Sequence, residues 1–416
     1  MYVYIIGTLD TKGAEVGYVR DCLRELGIAT RVVDAGCLGE PTIGADISRE
    51  AVFAAAGTSL AAVRERADRG NAVTLASQGA ATLIATDYAK GDVAGVVGLG
   101  GSAGTNIGTS AMRVLPLGVP KLMVSTLASG QTRPYVGSKD ILMLNSVVDI
   151  AGLNRISRTI LANAARAIAG MAGHRPLART AIENGERPLI AASMFGVTTP
   201  CVEQARSILE RAGYEVLVFH ATGIGGEAME GLIADGLFVG VLDLTTTELA
   251  DEFVGGILTA GPTRLTAAGL RGIPQVISVG ALDMVNFGGI QPTTGLPEGA
   301  IEAFRERHFY RHNATVTLMR TTPAENRRIG EEIGRKAASA TGPTSILLPR
   351  QGISAIDKAG QPFDDPAARI ELFQGIRATC GSVEVIESDH HINDIPFAEA
   401  AAEKLLALLS QVARAD

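Results

Sequence analysis

Short apolar runs alternate along the chain with clusters of Gly, Ser, Thr and Asp and with segments of helical periodicity. Tyr2–Ile6 reads as a first strand, Gly7–Gly13 as the turn after it, and Ala14 to Leu26 as a helix stopped at Gly27. A second strand, Ala29–Val33, ends in Asp34, so the chain opens with a β-α-β unit of a parallel sheet. Two or three helices are predicted, roughly over 48–56, 59–69 and 72–90. Val93–Val97 is a buried strand in this reading, Gly98–Thr105 a glycine-rich turn, and Asn106–Leu115 a helix stopped by Pro116 and Gly118. Strand Lys121–Val124, loop Ser125–Gly130, strand Asp140–Leu144 and an alanine-rich helix over 147–171 follow.

Gly173–Pro188 is polar and reads as a linker. Beyond it, strands are predicted at Leu189–Met194, Glu215–His220, Val239–Leu244, Gln275–Val279, Thr315–Arg320, Ser345–Leu348 and Val383–Glu387, most of them separated by helical segments. The expected fold is α/β, with two Rossmann-like domains, each a mostly parallel sheet flanked by helices. The first spans 1–180 and binds nucleotide; the second spans 181–416 and carries a substrate or partner site.

Composition narrows the function. A chain of 416 residues exceeds one ordinary core, and 46% hydrophobic with 19% charged residues is a globular balance. A net charge of −7 without a basic patch argues against nucleic acid as partner. No apolar run reaches membrane-spanning length, and the start of the chain lacks a signal-peptide pattern. The cysteines Cys22, Cys37, Cys201 and Cys380 form no C-x-x-C pair, which fits reduced thiols in a cytoplasmic protein.

Strand-end loops of a parallel sheet emerge on one edge, where ligands bind at the topological switch point. Three such loops converge in the first half. Gly7–Gly13 brings Thr8, Asp10, Thr11 and Lys12; Gly98–Thr105 brings Gly100, Gly101, Ser102, Gly104 and Thr105; Ser125–Gly130 brings Thr126, Ser129 and Gly130. A helix starting after the middle loop would aim free N–H groups and a positive dipole end at an anion. Lysine would neutralise phosphate charge and Asp10 would hold Mg²⁺, against the plainer reading of a helix cap and a solvated lysine. Neither G-x-G-x-x-G nor G-x-x-x-x-G-K-[ST] is present. Asp34 stands where a ribose hydroxyl is often held, which keeps an NAD(P)-dependent oxidoreductase open as an alternative.

The second half offers a further polar site at its own strand ends, built from Thr198, Thr199, Gly223, Gly225, Gly226, Asp243 and Asn286, with two domains of this build enclosing a cleft. His391 and Asp394 are a candidate acid–base pair, or else Asn393 or Asp394 caps the last helix and the histidines are merely exposed. Cys201, in the first turn of a helix, reads better as a buried thiol than as a nucleophile. His308 and His312 are spaced to share a helix face, with surface or packing roles.

The motifs Gly7–Gly13, Gly98–Thr105 and His391–Asp394, with the stretch Gly261–Phe287, resemble the bacterial, fungal and plant family that includes the N-terminal ATP-binding domain of the tomato mosaic virus resistance protein. The similarity runs along nearly the whole chain. The resemblance implies two Rossmann-like subdomains, ATP in the first, and homodimers. It supplies no reaction and no catalytic residues. The plant protein has a further barrel-like domain downstream, so joint chemistry here would need a separate partner enzyme. The expectation is therefore a cytoplasmic ATP-binding protein of small-molecule metabolism, using Mg·ATP on the first-domain loops and an unidentified small molecule elsewhere. The alternative is a non-catalytic, nucleotide-regulated interaction module.

Overall fold

A computed structural model describes residues 1–130, 132–173 and 187–412. Residues 174–186 of the expected linker, Gly173–Pro188, and the boundary at 180 lie outside the described residues. The chain divides into two compact units, Met1–Asn184 and Gly185–Asp416.

The first unit runs β1 (Tyr2–Gly7), α1 (Leu9–Glu25), β2 (Thr30–Asp34), α2 (Arg49–Ala55), α3 (Leu60–Arg66), α4 (Arg69–Ala89), β3 (Val93–Gly100), α5 (Ser102–Arg113), β4 (Lys121–Ser125), α6 (Arg133–Val136), β5 (Leu142–Asn145) and α7 (Arg155–Gly173). Its five strands are all parallel, in the order β2-β1-β3-β4-β5. Alternate residues of β1 serve opposite cores. Val3 and Ile5 pack with Val16, Val19 and Leu161 under α1 and α7; Tyr4 and Ile6 pack with Ile84, Ile107 and Met112 under α4 and α5. Both faces are covered, so the strands read as continuous apolar runs. The strand order reverses direction between β1 and β3, the place where a doubly wound sheet opens a crevice.

Two boundaries differ from the sequence reading, and both bear on the site. Strand β3 continues through Gly98 and Gly100, and α5 begins at Ser102 rather than Asn106, so the glycine-rich turn shrinks to Gly101. None of Gly98, Gly100, Gly101 or Gly104 has a positive φ. Their absent side chains serve close packing. A Cβ at Gly98 would sit 2.7 Å from Met123 Sδ, and one at Gly100 would sit 2.7 Å from the Gly104 Cα. Helix α1 begins at Leu9, which puts Asp10, Thr11 and Lys12 in its first turn, with a kink at Lys12. Helix α7 starts at Arg155 instead of 147, because Val147 takes a left-handed φ of 63° in an irregular segment after β5.

The second unit runs β6 (Leu189–Met194), α8 (Thr199–Arg211), β7 (Glu215–His220), α9 (Ile224–Ala234), β8 (Gly240–Thr245), α10 (Glu248–Val254), α11 (Ala267–Arg271), β9 (Gln275–Gly280), β10 (Met284–Gly288), β11 (Phe309–Arg311), β12 (Val316–Arg320), α12 (Pro323–Ala338), β13 (Thr344–Pro349), α13 (Pro366–Thr379), β14 (Glu384–Ser388) and α14 (Ile395–Val412). Six strands form a parallel sheet in the order β14-β13-β9-β8-β6-β7. Both units are thus Rossmann-like α/β layers. A second, antiparallel sheet of order β10-β12-β11 corrects two expectations. Met284–Gly288 is a strand, not a strand-end loop, and β12 leaves the parallel set. His308 and His312 flank strand β11 and share no helix.

Candidate functional site

A cavity of about 280 Å³ lies at the carboxyl edge of the first sheet, at the β1/β3 switch point. That is near the lower end of small-molecule pockets, which hold roughly 300–1,000 Å³. Thr8, Asp10, Thr11 and Lys12 form one side and Gly100, Gly101, Ser102 and Gly104 the other. Gly36, Cys37 and Leu38, after β2, make a third wall. Ala72, Val73 and Ala76 of α4, with Ile107 of α5, supply an apolar wall; Arg69 and Asp149 also line the cavity.

The helix termini separate this edge from ordinary packing. Helices α2, α3 and α4 have side-chain caps: Ser48, Ser59 and Asp68 accept from the amides of Ala51, Ala62 and Asn71. Helix α5 has Gly101 at its N-cap, with no side chain to do this. The first of its amides to find an acceptor is that of Thr105, which donates to the Gly101 carbonyl at 2.8 Å. The N–H groups of Ser102, Ala103 and Gly104 have no acceptor among the described residues. Helix α1 differs: the Leu9 amide donates to Asp34 Oδ1, and those of Thr11 and Lys12 donate to the Thr8 carbonyl. The open donors at this edge are therefore the three of α5 and the single Asp10 amide of α1, with Lys12 and Arg69 adding positive charge beside them.

Several expected ligand residues have other tasks. Asp34 is buried; its Oδ1 accepts from Leu9 and Gly36 amides, and its Oδ2 pairs with Arg49 Nε at 3.1 Å. It does not line the cavity, which removes the feature that suggested a ribose contact. Thr105 is buried, 2.6 Å from Ser125 Oγ, behind the cavity wall. Thr126, Ser129 and Gly130 lie outside the lining set, Thr126 being the nearest, with its Oγ1 3.7 Å from where a Gly101 Cβ would stand. Asp10 lines the cavity, yet its Oδ2 already accepts the amides of Leu38 and Gly39 at 2.9 and 3.2 Å. Sequence reasoning missed Arg69, Cys37, Leu38, Ala72 and Asp149, which come from helices and loops with no motif of their own. Burial, and Asp10 after it, push the Cys37 thiol up.

The carboxyl edge of the second sheet turns its polar groups on one another. Arg264, fully buried, donates to both oxygens of Asp243 at 2.5 and 2.7 Å and to Glu248 Oε2 at 2.5 Å, and pairs with Glu230 at 3.2 Å. Burial alone would lower its pKa; Asp243 and Glu248 hold the guanidinium charged. Gly223 and Gly226 give their amides to Glu248 Oε1. A Gly225 Cβ would strike the His220 backbone. Thr198 bonds Thr245 Oγ1 at 2.8 Å, Thr199 donates to the Phe195 carbonyl, and Asn286 donates to Asp251 Oδ2 at 2.7 Å. The seven residues expected to line an open site are thus engaged in internal contacts.

His391 and Asp394 are also corrected. The His391 ring is buried; Asn393 N–H donates to its Nδ1 at 3.1 Å, which fixes the proton on Nε2, where it bonds the Ser354 carbonyl at 2.8 Å. Burial lowers its pKa and keeps the ring neutral. Asp394 accepts the His391 backbone amide at 2.8 Å, and its carbonyl begins α14. The carboxylate orients backbone rather than imidazole, and neither ring nitrogen is left for proton transfer. Cys201 is buried, its thiol pushed up to about 12, as a packing cysteine should be. His308 stacks edge-on against Phe363 at 5.3 Å.

The profile of the N-terminal domain of an uncharacterised protein family (UPF0261) matches residues 1–176, and that of its C-terminal domain matches residues 187–409. The chain belongs to the UPF0261 family. A UPF0261 protein of Clostridium tetani is 47% identical over 412 residues, covering 98% of this chain and 99% of that one. Another, from Rhizobium meliloti, is 48% identical over 404 residues, covering 96% and 97%. The ToMV resistance protein Tm-1 of Solanum lycopersicum is 43% identical over 345 residues, which is 82% of this chain and 45% of the tomato protein. The resemblance drawn from the sequence motifs therefore holds. A Streptomyces glycosyltransferase complexed with thymidine diphosphate aligns at a TM-score of 0.16 and 12% identity over 67% of this chain and 81% of that one. A likeness of that size carries no argument. Among the described residues, no helix is long and apolar enough to cross a membrane.

Proposed function

We propose that the first unit of this UPF0261 chain binds ATP at the switch-point cavity, with phosphate oxygens on the α5 N-terminus. The observation that carries this reading is the set of amides at Ser102, Ala103 and Gly104, which lack acceptors on a ligand-sized cavity. Phosphate is the usual guest of such an end. Lys12 and Arg69 supply counter-charge, and the Ala72–Val73–Ala76 face with Ile107 suits the flat, weakly polar face of a base. Asp10 Oδ2 is engaged by two amides, and no cluster of three metal-ligating side chains exists among the described residues, so this reading leaves Mg²⁺ to the nucleotide phosphates and water rather than to a protein cage.

The sealed ring of His391 favours the nucleotide-regulated module over an enzyme using that histidine. Titration calorimetry with ATP tests the proposal. Saturable heat that weakens in Lys12→Ala is expected; no heat and no thermal stabilisation at millimolar ATP would reject it.

A further inference from the structure

Asp10, in the cavity wall, and Asp34, behind it, hold each other's loops. Asp10, on the β1–α1 side, accepts the Leu38 and Gly39 amides of the loop after β2. Asp34, at the end of β2, accepts the Leu9 amide of α1 and the Gly36 amide of its own loop. Two arginines complete the clasp from behind: Arg49 pairs with Asp34 Oδ2 at 3.1 Å and donates to the Gly39 carbonyl at 2.5 Å, while Arg64 Nε donates to the Cys37 carbonyl at 2.8 Å. Gly36 fits because it has no side chain; a Cβ there would stand 2.7 Å from Asp10 Oδ1. Its φ is not positive, so alanine would clash without backbone strain.

We infer that Asp10 is a positioning residue of the cavity: with Asp34 and Arg49 it sets the Gly36–Gly39 wall against the bound ligand, and it is not a metal ligand. The wall carries Cys37 and Leu38 into the cavity lining, so releasing it opens one side of the site without touching the α5 donors. This inference rests on the nucleotide reading only for its affinity arm. A carboxylate that serves as an acceptor for two amides can be replaced by an amide oxygen; one that neutralises a cation cannot.

The test uses three full-length variants and two readouts. Asp10→Ala and Asp10→Asn both remove the charge, so their difference reports the lost acceptor, and Gly36→Ala disturbs the clasp with every charge kept. Cys37 reactivity with a neutral maleimide, followed by mass of its peptide, should rise about tenfold in Asp10→Ala over Asp10→Asn, and by a similar factor in Gly36→Ala over wild type. ATP affinity should fall about tenfold in Asp10→Ala and Gly36→Ala, and by the same factor with Mg²⁺ or with EDTA, while Asp10→Asn stays close to wild type. Equal Cys37 reactivity in Asp10→Ala and Asp10→Asn, with Gly36→Ala at the wild-type rate, would overturn the inference. So would an Asp10→Asn defect seen only with Mg²⁺. If the wild-type chain binds no ATP, the nucleotide reading falls and the labelling rates still decide the clasp.

Discussion

The two parallel sheets end in loops of similar composition, yet their carboxyl edges do opposite things. At the first, three consecutive amides face a cavity without acceptors. At the second, Arg264 is closed in by Asp243, Glu248 and Glu230, Asp251 by Asn286, and His391 by Ser354 and Asn393, while Asp283 Oδ1 and Asn286 Oδ1 are buried acceptors without a partner. Gly, Thr and Asp after a strand therefore do not distinguish a ligand site from an internal polar network. What distinguishes them is whether the donors already have partners. Buried polar groups that satisfy one another fix loops; open donors at a helix start await an anion.

Several variants would break or sharpen this contrast. Arg264→Met leaves Asp243 and Glu248 buried without their counter-charge, and should cost about 3–5 kcal/mol in urea unfolding of the second unit. A loss below about 1 kcal/mol would show that the network is not needed for the fold. His391→Ala strands the Asn393 amide and leaves the Ser354 carbonyl with the Asp357 N–H alone; about 1–3 kcal/mol of stability should go, with ATP affinity unchanged. A change in ligand affinity instead would return His391 to the site. Ser102→Pro removes one open amide at the first helical position, where proline is tolerated. ATP binding should weaken about tenfold at an unchanged melting temperature.

The pH dependence is a finer test. Burial, with Asp357 beside it, pushes the Asp283 carboxyl up to about 7 from an ordinary value of 3.8. The folded chain then keeps a proton that the unfolded chain has lost, so this group makes stability fall as pH rises from about 4 to about 7. Asp283→Asn should make that decline shallower, the rest belonging to Asp251, which burial also pushes up to about 7, as read by thermal melts across the range; an unchanged slope would assign it elsewhere. The smallest effect belongs to Lys12→Ala, which should weaken ATP several-fold at low salt and less at high salt, as expected of a partly exposed charge.

Much of the frame was legible in the sequence. Continuous apolar runs such as Tyr2–Ile6 and Leu189–Met194 mark strands covered on both faces, and the loops at Gly7–Gly13 and Gly98–Thr105 do bound the cavity. The rest depends on contacts between distant residues. Asp34 meets Arg49 and Leu9, and Asp10 meets Leu38 and Gly39, pairings that no local spacing announces. Gly98 and Gly100 look like a flexible turn in sequence but are strand residues kept small by Met123 and Gly104. Strand β11 has only three residues, too short to outweigh the helical spacing of His308 and His312. Arg69 and Ala72 reach the cavity from a long helix whose sequence carries no ligand motif.

The central claim is that the free amides of α5 hold the phosphates. Hydrogen exchange of the segment spanning Gly101–Thr105, measured with and without saturating ATP, tests it most directly. The account predicts fast exchange at Ser102, Ala103 and Gly104 in the free chain and strong protection when ATP is present. Binding of ATP with no added protection at these three amides would contradict it.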